Sequence, residues 1–322
     1  MANAPSNRPA IDTINELLAS AIQAPSNHNT QPWRFFVAAD HIDLYADRTR
    51  ALPVNDPEDR ELTISCGCAL MNLRVAAAHR GLATVVDDTP KSADEDLLAT
   101  VSFQDAPATP AEARLHGAIA PRRTYRRRFA AREVQEQEVA ALQQAARDEW
   151  AWLQTYSGVA QRHELAALVG EGDAIQWANP SWRRELAMWM HPRRSGDGLT
   201  VPGLLAPVAH MVVRRFDMGD GRAAKDAELA EESPLLAVLG TPGDGVLDWL
   251  RAGQALQRVL LTAHGMGLQA SYLNQPIQVA ELRPRLQDYL ARDGLPQILL
   301  RLGHAADTLP ATPRRALGDV ID

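Results

Sequence analysis

The sequence predicts a mixed helix-and-strand protein built from two diverged copies of one unit. Residues 67–82 align with residues 253–268 at a constant offset of 186, without a gap, and six of these sixteen positions are identical. Both segments have the pattern of long, largely apolar helices that end at a glycine, and a strand-like run follows each of them. A repeat at a fixed offset indicates that a whole structural unit was duplicated. The identical pairs are Gly67 and Gly253, Ala69 and Ala255, Leu70 and Leu256, Ala77 and Ala263, Gly81 and Gly267, and Leu82 and Leu268.

Hydrophobic periodicity places the elements of the first half, residues 1–105. Apolar side chains recur at helical spacing from Ile11 to Ile22, so we expect a helix over 11–24. Pro25 ends this helix, because the residue before a proline is pushed out of the α region. The elements expected after it are strands 33–39 and 42–46, helix 60–80, and strands 83–87 and 97–103.

The second half, residues 122–322, is expected to follow an acidic, proline- and alanine-rich linker at 106–121. Residues 178–235 have no counterpart in the first half and are interpreted as an insertion. The last strand, 297–303, is mostly apolar, so we expect it near the centre of its sheet. The elements expected in this half are helix 134–149, strand 152–156, helix 159–177, helix 247–266, a strand-like run over 269–273, helix 278–292 and strand 297–303.

The amino-acid composition limits the classes of protein to which the chain can belong. The 322 residues include 33 basic and 40 acidic side chains, a net charge of -7, which argues against a nucleic-acid partner. No segment approaches the roughly 18 uninterrupted apolar residues of a membrane helix, and residues 1–12 lack the apolar core of a secretory signal. Cys66 and Cys68 are the only cysteines, so neither a disulfide framework nor a zinc site is expected. We therefore expect a cytoplasmic enzyme without a metal or membrane partner.

One loop carries the most specific signal. Residues 24–35 read Ala-Pro-Ser-Asn-His-Asn-Thr-Gln-Pro-Trp-Arg-Phe, in which the five polar side chains of 27–31, preceded by Ser26, lie between two prolines. Amide and hydroxyl groups concentrated in a short loop suit a small polar ligand, although asparagine and serine are also ordinary turn formers. The loop resembles the flavin-binding loop of the nitroreductase family, whose pattern is A-P-S-x-x-N-x-Q-P-W. The resemblance assigns to flavin binding Pro25, Ser26, Asn27, Asn29, Gln31 and Trp33.

This resemblance implies a fold and a cofactor. Nitroreductases are usually homodimers of an α+β fold, with long helices at the interface and FMN bound between the subunits. The chain therefore resembles such a dimer fused into one polypeptide, an internal pseudo-dimer similar to the Acg branch of the family. A single chain then suffices for one site, and further dimerisation is left open.

An arginine-rich segment begins the second half. Residues 122–129 read Arg-Arg-Thr-Tyr-Arg-Arg-Arg-Phe, and in the family an R-R-S/T motif at this position grips the flavin phosphate. Arginine can hold a phosphate with paired, charge-assisted hydrogen bonds, whereas a solvated basic run is the alternative. The resemblance assigns Arg122, Arg123 and Thr124 to the phosphate, with Arg126 as a helper. It also assigns the late pair Arg314 and Arg315.

Each half lacks the flavin-binding motif that the other half has. The first half has no arginine motif before its first helix, and the second half has Arg-Asp-Glu-Trp-Ala-Trp at 147–152 in place of the amide loop. We therefore expect one FMN per chain. In the family the stretch matching 270–276 supplies a backbone N–H near flavin N5, so Ser271, Asn274 and Gln275 are candidate ring contacts. No catalytic acid, base or nucleophile is predicted, because the flavin carries the chemistry, and His28 is interpreted as support for the loop rather than as a proton donor.

The insertion 178–235 resembles a region that covers the flavin in the Acg branch. Trp182, Trp189 and Met190 are candidate walls of the pocket, and a surface helix packed on its own apolar face is the alternative. The resemblance implies an oxidoreductase that transfers electrons from NAD(P)H, through flavin N5, to a nitroaromatic, quinone or similar small acceptor. The alternative function is a non-enzymatic FMN-binding protein with an occluded flavin.

Overall fold

The computed structural model describes residues 9–105, 110–190, 196–199, 213 and 219–322. Within them the fold is α+β, with two four-stranded antiparallel sheets and helices packed on them. The helices are α1 (Ile11–Ala21), α2 (Arg60–His79), α3 (Pro110–Ile119), α4 (Glu136–Arg147), α5 (Val159–Ala178), α6 (Pro180–Trp189), α7 (Gly219–Glu231), α8 (Val246–Gly265), α9 (Gln275–Gln278) and α10 (Arg283–Leu290). The strands are β1 (Trp33–Val37), β2 (His41–Ala46), β3 (Leu82–Asp87), β4 (Leu97–Asp105), β5 (Trp152–Tyr156), β6 (Leu235–Thr241), β7 (Leu268–Tyr272) and β8 (Leu295–His304).

Both sheets have the same topology. The first has the strand order β1-β2-β4-β3 and the second β5-β6-β8-β7, so corresponding strands occupy corresponding positions. Each half contains a helix, two strands, a long helix and two more strands in the same order. The chain thus consists of two diverged halves, and strand β8 lies in the interior of its sheet as expected.

The two long helices, α2 and α8, pack against each other at the centre of the molecule. Their backbones touch where the repeated glycines meet: a Cβ added to Gly67 would lie 2.2 Å from the carbonyl oxygen of Leu250, and one added to Gly253 would lie 2.1 Å from that of Ile64. Gly81 and Gly267, which end the two helices, have φ of 78° and 80°, a left-handed conformation that favours glycine. The repeat therefore preserves a helix crossing and its two C-caps.

Three expectations need correction. The predicted linker 106–121 contains helix α3, whose Ala118 and Ile119 are buried against α2 and α8. Strand β6 was not predicted, because its seven residues are all buried and a uniformly apolar run has no periodicity. The predicted helix 278–292 is two helices, α9 and α10, that lie on either side of residues 279–282.

The segment without a counterpart is longer than the predicted insertion 178–235. It lies between β5 and β6 and includes α5, which begins at Val159, because in the first half β1 and β2 are joined by only three residues. Part of the predicted insertion, including 200–212, lies outside the described residues. No described helix is long and apolar enough to cross a membrane.

Candidate functional site

A cavity of about 460 Å³ lies alongside the N-terminal half of α2 and is lined by residues of both halves. Its volume is in the range of small-molecule sites, roughly 300–1,000 Å³. The first half contributes the polar loop and α2, and the second half contributes the arginine segment, the end of β7 with α9, and helices α5 and α6. The predicted site residues that line the cavity are Pro25, Ser26, Asn27, Asn29, Arg122, Arg123, Thr124, Arg126, Asn274, Gln275 and Arg314.

The polar loop has an unusual backbone. His28, Asn29 and Gln31 have φ of 49°, 56° and 52°, in the left-handed region that residues other than glycine rarely adopt. The turn is closed by Ser26, whose Oγ accepts a hydrogen bond from the backbone N–H of Gln31 at 2.9 Å. Asn29 Nδ2 donates to the carbonyl oxygens of Gly198 and Pro313, both at 3.2 Å. The serine and amides of the motif thus hold a strained turn whose neighbouring side chains face the cavity.

The arginine segment is held beside β7. Thr124 forms a bridge with Ala270, and Tyr125 N–H donates to the Ala270 carbonyl at 2.8 Å. From β8, the fully buried Arg301 donates to the carbonyls of Tyr125 and Arg127 at 2.9 and 3.0 Å. These contacts place Arg122, two residues before Thr124, at the wall of the cavity.

Arg122 is a buried cation. Its side chain is 94% buried, burial lowers its pKa, and its Nε has no hydrogen-bond partner among the described residues. Arg123 also has an unpartnered Nε, although its Nη1 donates to the carbonyls of Ala120 and Arg122. Arg126 lines the cavity nearby, whereas Arg127 and Arg128 form ion pairs outside it. Asp226 also lines the cavity, and its charge opposes the effect of burial on the pKa of Arg126, so the charge left uncompensated is that of Arg122.

The two late arginines have separate positions. Arg314 lines the cavity, but its guanidinium also donates to the carbonyls of Ile22, Gln23 and Ala24, and so caps the C-terminus of α1. Burial, with the charges of Arg122 and Arg123, lowers the pKa of Arg314 to about 10. Arg314 therefore adds positive charge at the same end of the cavity while it holds α1.

Four predicted site residues do not line the cavity. Gln31 is fully buried and donates to the Gly196 carbonyl at 2.8 Å, while its Oε1 accepts from the backbone N–H of Arg315. Arg315 in turn bonds the Gln31 carbonyl and lies 3.6 Å from Asp47. Trp33 is fully buried in the core, and Ser271 is buried on β7. These side chains hold the loop, the C-terminal segment and the sheet together. A sequence motif alone does not show whether a residue has this structural role or contacts a ligand.

Tyr272 was not predicted as a site residue. It lines the cavity at the end of β7, and its buried hydroxyl lacks a hydrogen-bond partner in the described part of the chain. Burial raises its pKa, while the nearby Arg122 opposes that effect. A buried hydroxyl normally has a partner, so an unpartnered one beside an unpartnered arginine indicates a place for an anionic or strongly accepting ligand group.

Glu61 was also not predicted. This buried carboxyl, in the first turn of α2, lines the cavity and accepts hydrogen bonds from Asn27, Asn274 and Gln278. Burial raises its pKa to about 7, although Arg60 opposes the effect. The signal available in the sequence was a charged pair, Arg60 and Glu61, opening an otherwise apolar helix.

His28 is neutral at neutral pH. Burial, reinforced by the charge of Arg126, lowers its pKa to about 4. Its Nδ1 lies 2.6 Å from Asn27 Oδ1, within the loop. His28 also lines the cavity, so its interpretation as support for the loop stays a prediction.

Cys68 lines the cavity, and both cysteines are buried and free. Burial raises the pKa of Cys68 to about 12, and its Sγ donates to the Gly253 carbonyl at 3.2 Å. The thiol is therefore uncharged and serves the crossing of α2 and α8.

Helix α6 forms the cover of the cavity on the side of the insertion. Trp182 and Met190 line the cavity, whereas Trp189 is buried below Arg50 and does not. The cover is fastened to the first half: Glu185 accepts from the backbone N–H groups of residues 54 and 55, each at 2.9 Å. Trp182 Nε1 also donates to Asn55 Oδ1 at 2.8 Å.

Several known proteins are similar to this chain. The family model described as "Nitroreductase family" matches residues 5–56. A Mycobacterium tuberculosis protein named "Putative NAD(P)H nitroreductase Rv3131" is 33% identical, covering 98% of this chain and 92% of the relative. Another from the same species, "Putative NAD(P)H nitroreductase acg", is 28% identical over 96% of this chain and 95% of its own length. Among solved structures, the FMN-dependent nitroreductase NfnB from Mycobacterium smegmatis in complex with NADPH is 19% identical, covering 65% of this chain and 96% of that chain with a TM-score of 0.43.

Proposed function

The chain belongs to the nitroreductase family, in the branch of acg-like single-chain proteins, and we propose that it is an FMN-dependent oxidoreductase. Electrons would come from NAD(P)H and pass to a nitroaromatic, a quinone or a similar small acceptor. The relatives' names support the donor, since they are nitroreductases named for NAD(P)H. The nature of the acceptor is part of the proposal.

The observation that carries the proposal is the buried positive charge of Arg122. A buried guanidinium is costly unless an anion compensates it, and none of the ion pairs of the described residues involves Arg122. With Arg123, Arg126 and the Tyr272 hydroxyl it forms a set of donors suited to a phosphate dianion. The FMN phosphate would be held here.

The rest of the cavity fits the flavin ring. Gln275 Oε1 has no hydrogen-bond partner among the described residues and offers a polar edge contact, and Trp182 offers an apolar wall. The amides of Asn27 and Asn274, which Glu61 holds, complete the polar side of the cavity. When bound, FMN supplies hydride and electron transfer at N5, and the protein binds, orients and shields it.

The family dimer would have a second, symmetric site, and in this chain the matching residues bind one another instead. Gln254, 186 residues after the cavity residue Cys68, accepts a hydrogen bond from Arg74 at 2.7 Å. Glu149, in the counterpart of the polar loop, is buried between Arg74 and Arg258, with N–O distances of 2.6 and 2.8 Å. A saturated ion-pair network takes the place of ligand donors, which supports one FMN per chain.

A second candidate function is storage of an occluded flavin. The fastening of α6 to the first half through Glu185 and Asn55 favours it, because these buried contacts must break before the cover can open. The two functions differ in whether a nicotinamide can reach the flavin.

The purified protein should be yellow, contain one FMN per chain, and bleach when NADH or NADPH is added without oxygen. The flavin-to-protein ratio comes from absorbance after denaturation, and the bleaching from the visible spectrum. Bleaching by dithionite but by neither nucleotide would favour the storage function. A colourless protein that cannot be reconstituted with FMN would contradict FMN binding itself.

Replacing Tyr272 with phenylalanine should weaken FMN binding about two- to tenfold, the usual contribution of one neutral hydrogen bond. The change removes a buried hydroxyl that has no partner in the described residues, so the FMN-free protein should lose no stability. Titration of FMN-free protein with FMN measures the affinity, and thermal unfolding measures the stability. Unchanged affinity would place the phosphate away from Tyr272.

A further inference from the structure

Glu61 joins the parts of the cavity wall that come from different halves. Its Oε1 accepts from Asn274 Nδ2 at 2.9 Å and from Arg60 Nη2 at 3.2 Å. Its Oε2 accepts from Gln278 Nε2 at 2.9 Å and from Asn27 Nδ2. One carboxyl thus receives donors from the polar loop, from α2 and from the segment after β7.

The orientation of Asn274 is fixed by its other partner. Asn274 Oδ1 accepts from the backbone N–H of Leu299 at 3.0 Å, and a backbone amide can only donate, so Asn274 must point its NH₂ group at Glu61. Gln278 Nε2 also donates to Oε1 of Glu61, at 3.0 Å, and its own Oε1 accepts from Gln176 Nε2 at 2.8 Å, a pair of amides that can turn over only together. Oε1 of Glu61 therefore faces two groups, Asn274 and the guanidinium of Arg60, that can only donate to it.

We propose that Glu61, as a carboxylate, is the positioning residue that holds the amide side chains of both halves in the orientation that cofactor binding requires. The proposal rests on the proposed function, because it concerns the wall of the same FMN site. A carboxylate accepts from every donor around it, whereas a carboxylic acid would point a proton at groups that have no free lone pair. The carboxylate is thus the form that satisfies the whole network.

Protonation of Glu61 requires a neighbouring amide to turn over. A proton on either oxygen finds an acceptor if the amide of Gln278, which also lines the cavity, turns over together with that of Gln176. A proton on Oε2 also finds one if the amide of Asn27 turns over and points its oxygen at Glu61. The turned amide would then present its NH₂ group to Nδ1 of His28, which now lies 2.6 Å from the Asn27 oxygen. Protonation of Glu61 therefore reorients a side chain that lines the cavity.

The groups around Glu61 set its protonation near neutral pH. The charged groups that face Glu61 are Arg60, which favours the carboxylate, and Asp56, which disfavours it. Across the cavity wall, Asp173 on α5 hydrogen-bonds Gln275 at 3.0 Å, and His28 is neutral. Because burial raises the pKa of Glu61 to about 7, FMN affinity should be high above this pH and fall as the pH decreases through it.

The test is the pH profile of binding to FMN-free protein from pH 5.5 to 8.5, with FMN and with riboflavin as probes. Riboflavin lacks the phosphate, whose own second pKa of about 6 would otherwise contribute. Wild-type affinity should fall at least about tenfold towards low pH, and E61Q should bind at least about tenfold more weakly at pH 8.5, without the pH step. E138Q is the matched control, since Glu138 is also buried in the first turn of a helix but lies outside the cavity.

The outcomes separate this proposal from the proposed function. If the wild type binds FMN and E61Q binds it equally well with the same pH profile, Glu61 has no positioning role although the FMN site stands. If the wild type binds neither probe at any pH, the FMN site itself is wrong. Should E61Q fail to fold, Gln278→Ala is the variant to test. It removes one donor to the carboxylate, which makes the carboxylate less favourable, so the pH step should move to higher pH. A step at the wild-type pH would overturn the proposal.

Discussion

Replacing Arg122 with methionine should weaken FMN binding by about a hundredfold and, at the same time, stabilise the FMN-free protein. The guanidinium is buried, and the groups that act on its pKa are Tyr272, Cys68 and Arg123, none of which is an anion at neutral pH, so folding without the ligand leaves its charge uncompensated. Methionine retains much of the volume and removes that cost, while a bound phosphate loses charge-assisted hydrogen bonds from a desolvated donor. A substitution that lowers the affinity for FMN and raises the stability of the FMN-free protein identifies a residue whose role is to bind the ligand.

The measurement pairs FMN titration with thermal unfolding of the FMN-free protein. Arg127→Met is the matched control, because Arg127 belongs to the same segment but forms an exposed ion pair with Asp307 outside the cavity. It should leave both quantities nearly unchanged, as surface ion pairs contribute little. If R122M destabilised the FMN-free protein and left FMN affinity intact, Arg122 would be a structural residue and the phosphate site would lie elsewhere.

The sequence located the secondary structure around this site well where the signal is local. Helices were expected over 60–80 and 247–266, and the structure has them as Arg60–His79 and Val246–Gly265. Their apolar pattern and terminal glycines depend only on neighbours a few residues away. Strand β6 was not predicted because it is buried on both faces, so polar and apolar residues do not alternate in its sequence.

Side-chain roles within the site were less predictable. Gln31 and Ser26 belong to the same motif, yet Gln31 points into the protein and Ser26 lines the cavity. Their difference depends on the left-handed backbone of the loop and on a C-terminal segment nearly 300 residues away. Glu61 shows the same limit, since its partners Asn27 and Asn274 come from opposite halves and no sequence spacing relates them.

Replacing Gly67 with alanine should destabilise the folded protein by at least about 3 kcal/mol. The new Cβ would lie 2.2 Å from the Leu250 carbonyl oxygen and 2.9 Å from the Cα of Gly253, and both are backbone atoms that cannot rotate away. The helices α2 and α8 must then separate, and the core that both halves share along them loses packing. The denaturation midpoint measures the effect, and FMN affinity should fall with it, because α2 and the second half form opposite walls of the cavity.

Gly265→Ala is the matched control in the partner helix. A Cβ at Gly265 would meet nothing within 4 Å, so alanine there should stabilise the protein slightly, by up to about 1 kcal/mol, through its higher helix propensity. Equal destabilisation by the two substitutions would contradict the explanation by close contact and point to a general loss of helix flexibility. Opposite signs would show that α2 and α8 need the glycine pair where their backbones touch, and would tie these repeated glycines to the interface that builds the site.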